Sequence, residues 1–241
     1  MSNEKLLVEE CVKAKLHKSV ISIFYIENNK IKLLGSGIYI KCNDYFFVLT
    51  AAHVQKETLQ VMYADEMDHI STIPYIFYKP HSQLDIAVYL LKNKLENFYE
   101  PIEYDFNFLP EDFHKYFLLG YPGTQAKFYD EKMHAALRTF ISKEDPNPVK
   151  NVEQFELAIK FQRQKTYNDK GLKARFPLPY GMSGGPLFTF QVVDNRIEYN
   201  LFGLLTRYDD INDRTLIATR IEYLNEFMRR VFIDIENHKI K

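Results

Sequence analysis

Three of the chain's nine glycines fall within Gly181-Met182-Ser183-Gly184-Gly185-Pro186. Glycine is used where a Cβ would block a backbone conformation or a close approach. A serine between such glycines can expose its hydroxyl and keep its amide free. Those are the needs of a nucleophile with an adjacent oxyanion hole. Ser183 is therefore the first candidate for covalent chemistry. The same hexapeptide also fits a surface turn, because Ser and Gly dominate turns.

A serine hydroxyl is a poor nucleophile until a base takes its proton. Of the seven histidines, His53 has the best setting. It closes Thr50-Ala51-Ala52-His53-Val54, where two alanines allow tight packing and an apolar strand stops. A lone histidine is also commonly a structural residue. Asp85 is the matching carboxylate candidate, opening the apolar run Ile86 to Leu91. An acid there is either a loop cap or a buried group that needs a partner. Metal chemistry has no support: there is no His-Glu-x-x-His and no Cys/His cluster at ligand spacing. Gly35-Ser36-Gly37 lacks the third glycine and the setting of a nucleotide loop, so no cofactor is expected.

Positioning these side chains falls to many short strands. Val20–Ile26 and Ile31–Leu34 read as a hairpin across Glu27-Asn28-Asn29-Lys30. Gly35-Ser36-Gly37 then interrupts the β pattern, as a bulge or a close backbone approach would. Ile38–Lys41 and Tyr45–Leu49 form the hairpin that ends at His53. Strands are expected again at Leu59–Tyr63, Ile70–Tyr78, Tyr116–Gly120, Ala135–Ser142 and Phe155–Phe161. After the nucleophile, 186–193 and Ile197–Leu205 pair across Asp194-Asn195-Arg196. Residues 144–150 read as a turn region and 162–173 as a polar loop. Residues 3–18 carry Leu6, Leu7, Cys11, Val12 and Leu16 at helical spacing, to pack on the domain or dock a partner.

In this order, Gly35-Ser36-Gly37, Thr50-Ala51-Ala52-His53, Leu84-Asp85-Ile86-Ala87 and Gly181-Met182-Ser183-Gly184-Gly185-Pro186 resemble the trypsin/chymotrypsin-like serine protease family. The chain order His, Asp, Ser separates this type from subtilisins and α/β-hydrolases. Gly120-Tyr121-Pro122 after a strand is similar to bacterial, disulfide-free members. The resemblance implies an all-β fold, a chymotrypsin-like double β-barrel with N- and C-terminal helices, as one domain over 1–241. The N-terminal helix would cover about 3–18, the barrels about 19–97 and 113–219, and the C-terminal helix about 220–235.

It also implies a serine endopeptidase. Ser183 would attack the scissile carbonyl, His53 act as base and then acid, and Asp85 orient His53. The amides of Gly181 and Ser183 would form the oxyanion hole. Pro177, Thr206, Tyr208 and Leu216 match substrate-pocket positions, and the Thr206 hydroxyl matches one that can bond the triad carboxylate. The alternatives are a catalytically silent binding or adaptor module on this scaffold, and an esterase or acyl-transfer enzyme using the same triad.

Two departures from the family pattern matter. Met182 replaces the acidic or amide residue usual before the nucleophile, so activation by a salt bridge to a new N-terminus is not expected. Pro177 stands where basic-specific members carry an aspartate, and Tyr208 and Leu216 where open pockets have glycines. A short pocket for small or medium apolar side chains is expected, not one for Lys or Arg.

Composition sets the remaining bounds. A formal charge of −1, with 31 basic and 32 acidic residues along 241, gives no nucleic-acid footprint. No apolar run approaches the ~20 residues of a membrane helix. The first eighteen residues are charged throughout and hold no signal-peptide core. Two cysteines, Cys11 and Cys42, build no disulfide framework. The expected compartment is the cytoplasm. The expected partners are a protein or peptide substrate and, by analogy with similar intracellular peptidases, a regulatory protein.

Overall fold

The computed structural model describes residues 3–27, 30–54, 62–64, 70–95, 99–129, 132–134, 136–143, 152–161, 166–167, 173–174, 177–209 and 214–237. Helix α1 (Asn3–Cys11) passes through a π-helical turn, Val12–Leu16, and a 3-10 turn, His17–Ser19, into the first strand. The strands are β1 (Val20–Glu27), β2 (Lys30–Cys42), β3 (Tyr45–Ala51), β4 (Met62–Ala64), β5 (Ile70–Thr72), β6 (Tyr75–His81), β7 (Ile86–Leu91) and β8 (Ile102–Glu103). The second half holds β9 (Lys115–Gly120), β10 (Lys127–Tyr129), β11 (Lys132–His134), β12 (Arg138–Lys143), β13 (Glu156–Lys160), β14 (Thr166–Tyr167), β15 (Lys173–Ala174), β16 (Pro186–Val193), β17 (Arg196–Asp209) and β18 (Thr215–Arg220). Helix α2 (Ile221–Asn237) follows without a break.

Two sheets carry the site. The first has the order β5-β4-β1-β2-β3-β7-β6, with β8 added parallel to β2. The second has the order β12-β9-β16-β17-β18-β13. Both are otherwise antiparallel, with sequential hairpins joined by longer-range pairs such as β3–β7 and β9–β16. The β16–β17 turn shows why its sequence folds there. Asp194 and Asn195 both take positive φ, 48° and 60°, the twist that two-residue hairpin turns require. Leu59–Val61, the turn residues Asn28 and Asn29, 144–150, most of 162–173, and Ala135 lie outside the described residues.

Strand β7 is buried at every position, so it cannot show the polar alternation of a half-solvated strand. Its two faces serve two cores. Ile86, Val88 and Leu90 join the main core shared with the second sheet and both helices. Tyr89 and Leu91 fill the first barrel with Ile21, Ile23, Tyr39 and Val48. The N-terminal segment packs on its own domain, with Val8, Val12 and Leu16 in the main core.

Helix α2 buries Leu224, Phe227, Met228, Val231, Phe232 and Ile235, the spacing of one apolar stripe. Phe232 meets Tyr45, Phe47 and Phe106 at ring-centroid distances of 5.8, 5.5 and 5.0 Å. The last helix therefore fastens onto the first barrel as well as the second. Phe232→Ala should cost about 3 kcal/mol, the usual range for emptying such an aromatic site. Chemical denaturation measures it; a loss under about 1 kcal/mol would mean that α2 does not hold the halves together.

Candidate active site

His53 follows β3 in the 3-10 turn Ala52–Val54. Asp85 ends the turn before β7 with φ +50°, a left-handed conformation that Asp tolerates better than most residues. Strands β3 and β7 are neighbours, which brings the two ends together. The Ala52 amide donates to the Asp85 carbonyl at 3.1 Å. The His53 amide donates to Asp85 Oδ1 at 3.0 Å, and His53 Nδ1 meets Oδ2 at 2.7 Å. An ionised carboxylate can only accept, so the contact assigns a proton to Nδ1, and in the neutral ring that leaves the lone pair on Nε2. A carboxylate held from two sides fixes both the tautomer and the ring plane.

The loop that carries Ser183, the candidate nucleophile, is shaped by Gly181 (φ +87°) and Gly184 (φ +82°). A Cβ at Gly184 would collide with the Ser36 carbonyl and Thr50 Oγ1. That close approach presses the loop onto β2 and β3. The Ser36 amide donates to the Ser183 carbonyl at 2.8 Å, and the Gly184 amide to the Leu205 carbonyl at 2.6 Å.

The amides of Gly181 and Ser183, the candidate oxyanion-hole donors, are aimed through their own peptide planes. In a trans peptide the N–H points opposite to the C=O, and no cis bond occurs among the described residues. The Tyr180 carbonyl accepts from the Gly123 amide at 2.6 Å, so the Gly181 N–H faces away from Gly123. The Met182 carbonyl accepts from the Gly185 amide at 2.8 Å, so the Ser183 N–H faces away from Gly185.

His53, Asp85, Gly181 and Ser183 line one cleft of about 460 Å³, with Leu34, Tyr180, Leu205, Thr206, Arg207 and Tyr208 among its walls. Tyr208 stands edge-on to Tyr180 at 6.0 Å and to Phe161 at 5.4 Å. It narrows the cleft without filling it.

The other pocket expectations change. Leu216 is wholly buried in the main core. It is the register partner of Tyr208 but does not line the cleft. Pro177 is half-buried and does not line the cleft. Thr206 lines it, but its single hydroxyl proton goes to the Ile217 carbonyl at 3.1 Å, not to Asp85.

Three wall residues escape a reading by motif. Leu34 is turned by the β1–β2 bulge, where the register jumps from Ile23↔Gly35 to Phe24↔Leu33. The Gly35-Ser36-Gly37 interruption was its signal. Tyr180 directly precedes Gly181 and is half exposed. Arg207 forks onto Glu156 through both terminal nitrogens, the longer contact at 2.9 Å. Glu156 is buried, with side-chain exposure of 4% against 49% for Arg207. A buried carboxylate needs such a partner, but β13 and β17 are too far apart in sequence for spacing to reveal the pair.

No protein-family model and no curated protein matches the chain. The backbone is similar to a solved structure of neuropsin, described as a serine protease expressed in the limbic system of mouse brain. The TM-score is 0.57 at 17% identity, covering 90% of this chain and 95% of that one. The fold is therefore the chymotrypsin-like double β-barrel with a C-terminal helix, as the motif order implied. No helix among the described residues is long and apolar enough to cross a membrane.

Proposed function

We propose that the chain is a serine endopeptidase that cleaves protein or peptide substrates through an acyl-enzyme. The observation that carries this reading is the His53 Nδ1–Asp85 Oδ2 contact of 2.7 Å in the same cleft as Ser183. With Nδ1 protonated toward Asp85, Nε2 is free to take the Ser183 proton as its oxygen attacks the scissile carbonyl. The imidazolium that forms is stabilised by the carboxylate, then gives its proton to the leaving amine. The Gly181 and Ser183 amides supply charge stabilisation where the carbonyl oxygen becomes an oxyanion; one such donor is typically worth about 3–4 kcal/mol.

Two observations favour an active enzyme over a silent scaffold. The cleft remains open beside Tyr208, and the loop peptides already hold both amides turned from their neighbours. A fluorophosphonate, which phosphonylates an activated serine, should label wild type and not Ser183→Ala. Peptide-library cleavage by the two proteins then tests amide hydrolysis. Labelling with ester turnover but no peptide cleavage would favour the esterase reading. Cys11 and Cys42 are free thiols, in keeping with a reducing, cytoplasmic setting.

The pocket should not favour Lys or Arg before the scissile bond. Asp85 is the one carboxylate among the described cleft walls, and His53 engages it. Arg207 lies on the same wall with its charge paired to Glu156, so it offers no acceptor for a cation. A cationic side chain would be desolvated there without a counter-charge. Small or medium apolar residues fit the narrowing by Tyr208. Tyr208→Gly should raise cleavage after large apolar residues by about tenfold or more, the scale of pocket-volume changes. Cleavage-site mapping on a denatured proteome checks both; a dominant Lys or Arg preference in wild type would overturn the pocket reading alone.

A further inference from the structure

Ser36 is fully buried where β2 meets the nucleophile loop. Every polar group of this residue is engaged. Its amide donates to the Ser183 carbonyl at 2.8 Å. Its carbonyl accepts from Thr50 Oγ1 at 2.7 Å. Its Oγ accepts from the Tyr121 amide at 2.9 Å and donates to the Gly181 carbonyl at 3.1 Å. One side chain thus joins the first barrel, the turn after β9 and the nucleophile loop.

The position of the Gly181 carbonyl gives this bond its meaning. Its peptide plane lies between the two planes that carry the Gly181 and Ser183 amides. The outer planes are pinned through the Tyr180 and Met182 carbonyls. The middle plane is pinned by the Met182 amide, which donates to the Pro179 carbonyl at 2.9 Å, and by Ser36 Oγ. Gly181 itself has φ +87° and no side chain, so it resists rotation least. A flip of the Tyr180–Gly181 peptide about this residue would replace the Gly181 N–H with the Tyr180 carbonyl oxygen at the site of developing negative charge. The residue before the nucleophile, Met182, holds no charge with which to anchor the loop.

Resting on the peptidase reading above, we propose that Ser36 is a positioning residue that holds the oxyanion-forming peptides in their working arrangement through its hydroxyl. The bridge serves where an ion pair at position 182 is absent. Preorganised donors contribute only if they need no rearrangement as the reaction proceeds. Losing the bridge should therefore be felt at the transition state more than in ground-state binding.

The test compares wild type with Ser36→Ala and Ser36→Gly. The measurements are kcat and KM on a library-selected peptide, Ki for the matching peptide aldehyde, and thermal midpoint. The aldehyde forms a hemiacetal with Ser183 whose oxygen occupies the oxyanion position. Both variants should lose about tenfold to a hundredfold in kcat, with KM within about threefold. Aldehyde affinity should fall in proportion to kcat. Folded variants with kcat and aldehyde Ki within about threefold of wild type would overturn the proposal. So would a fall in KM-dependent binding alone, or failure of both variants to fold, which would make Ser36 a purely structural residue. Fluorophosphonate labelling of wild type at Ser183 separates the two levels. Unlabelled wild type sinks the peptidase reading; labelled wild type with unaffected Ser36 variants sinks this inference alone.

Discussion

Ser183→Ala should lower turnover by about 10⁴-fold or more, with His53→Ala falling as far and Asp85→Asn close behind. The reason differs at each position. Alanine at 183 removes the attacking oxygen. Alanine at 53 leaves a serine hydroxyl with no base, and its ordinary acidity is far too weak to supply an alkoxide. Asparagine at 85 acts through the histidine. Asp85 accepts from the His53 amide with one oxygen and from Nδ1 with the other. An asparagine has a single acceptor oxygen and two amide protons. If the oxygen keeps the backbone bond, the NH₂ faces Nδ1 and selects the tautomer protonated at Nε2. That tautomer has no lone pair for the serine proton. The fold should survive all three changes, since His53 and Asp85 are part exposed, with side-chain accessibilities of 50% and 32%. On the proposed mechanism the three groups work as one unit, so the Ser183→Ala/His53→Ala double variant should be no slower than the worse single. Steady-state kinetics with circular dichroism on each variant is the measurement. Hydrolysis at wild-type rate by uncontaminated Ser183→Ala would remove the serine mechanism.

The arrangement behind that expectation was legible to different depths. Hairpins declare themselves locally, through alternation and through turn residues such as Asp194-Asn195 that accept positive φ. The stripe on α2 is equally local. The order of glycine, histidine, aspartate and serine motifs carried the global topology only through the family resemblance that it supports. What the sequence hides is pairing across distance and the effect of bulges on direction. The β17–β18 register shifts between Leu205 and Arg207, so counting from a motif does not tell which of Thr206, Tyr208 and Leu216 meets the cleft. Leu216 lies in the core, and Thr206 turns its proton to Ile217. The Arg207–Glu156 pair joins residues 51 positions apart, which no periodicity reports. The role of Ser36 is hidden in the same way: its hydroxyl partners lie 85 and 145 positions along the chain.

Met182→Asp should be the most damaging single change outside the triad, and its pH dependence should run opposite to that of a salt-bridged acid. Met182 is wholly buried, and its side chain packs directly against Gly120. Met182 belongs to the main apolar core, and the N-terminal segment is committed elsewhere. Helix α1 is tied to the second barrel by Glu4 and Lys115 at 2.5 Å, and Val20 is locked in register with Ile38. An aspartate at 182 would therefore be a buried charge without a partner, at a cost of several kcal/mol. Desolvation raises the folded-state pKa of such an acid above its unfolded value of about 3.9. The folded state then binds the proton more tightly than the unfolded state, so stability falls as pH rises. The deficit against wild type should be largest at neutral pH and shrink toward the unfolded pKa. Met182→Asn, which cannot ionise, should show a smaller deficit that does not vary with pH. Activity should follow stability, because position 182 lies between the two amides assigned to the oxyanion. Thermal midpoints across a pH series separate this from activation by cleavage. If the wild-type chain is inert when intact, and a cut near Lys18 switches on Met182→Asp through a new N-terminus, position 182 is an activation site and the buried-methionine argument fails.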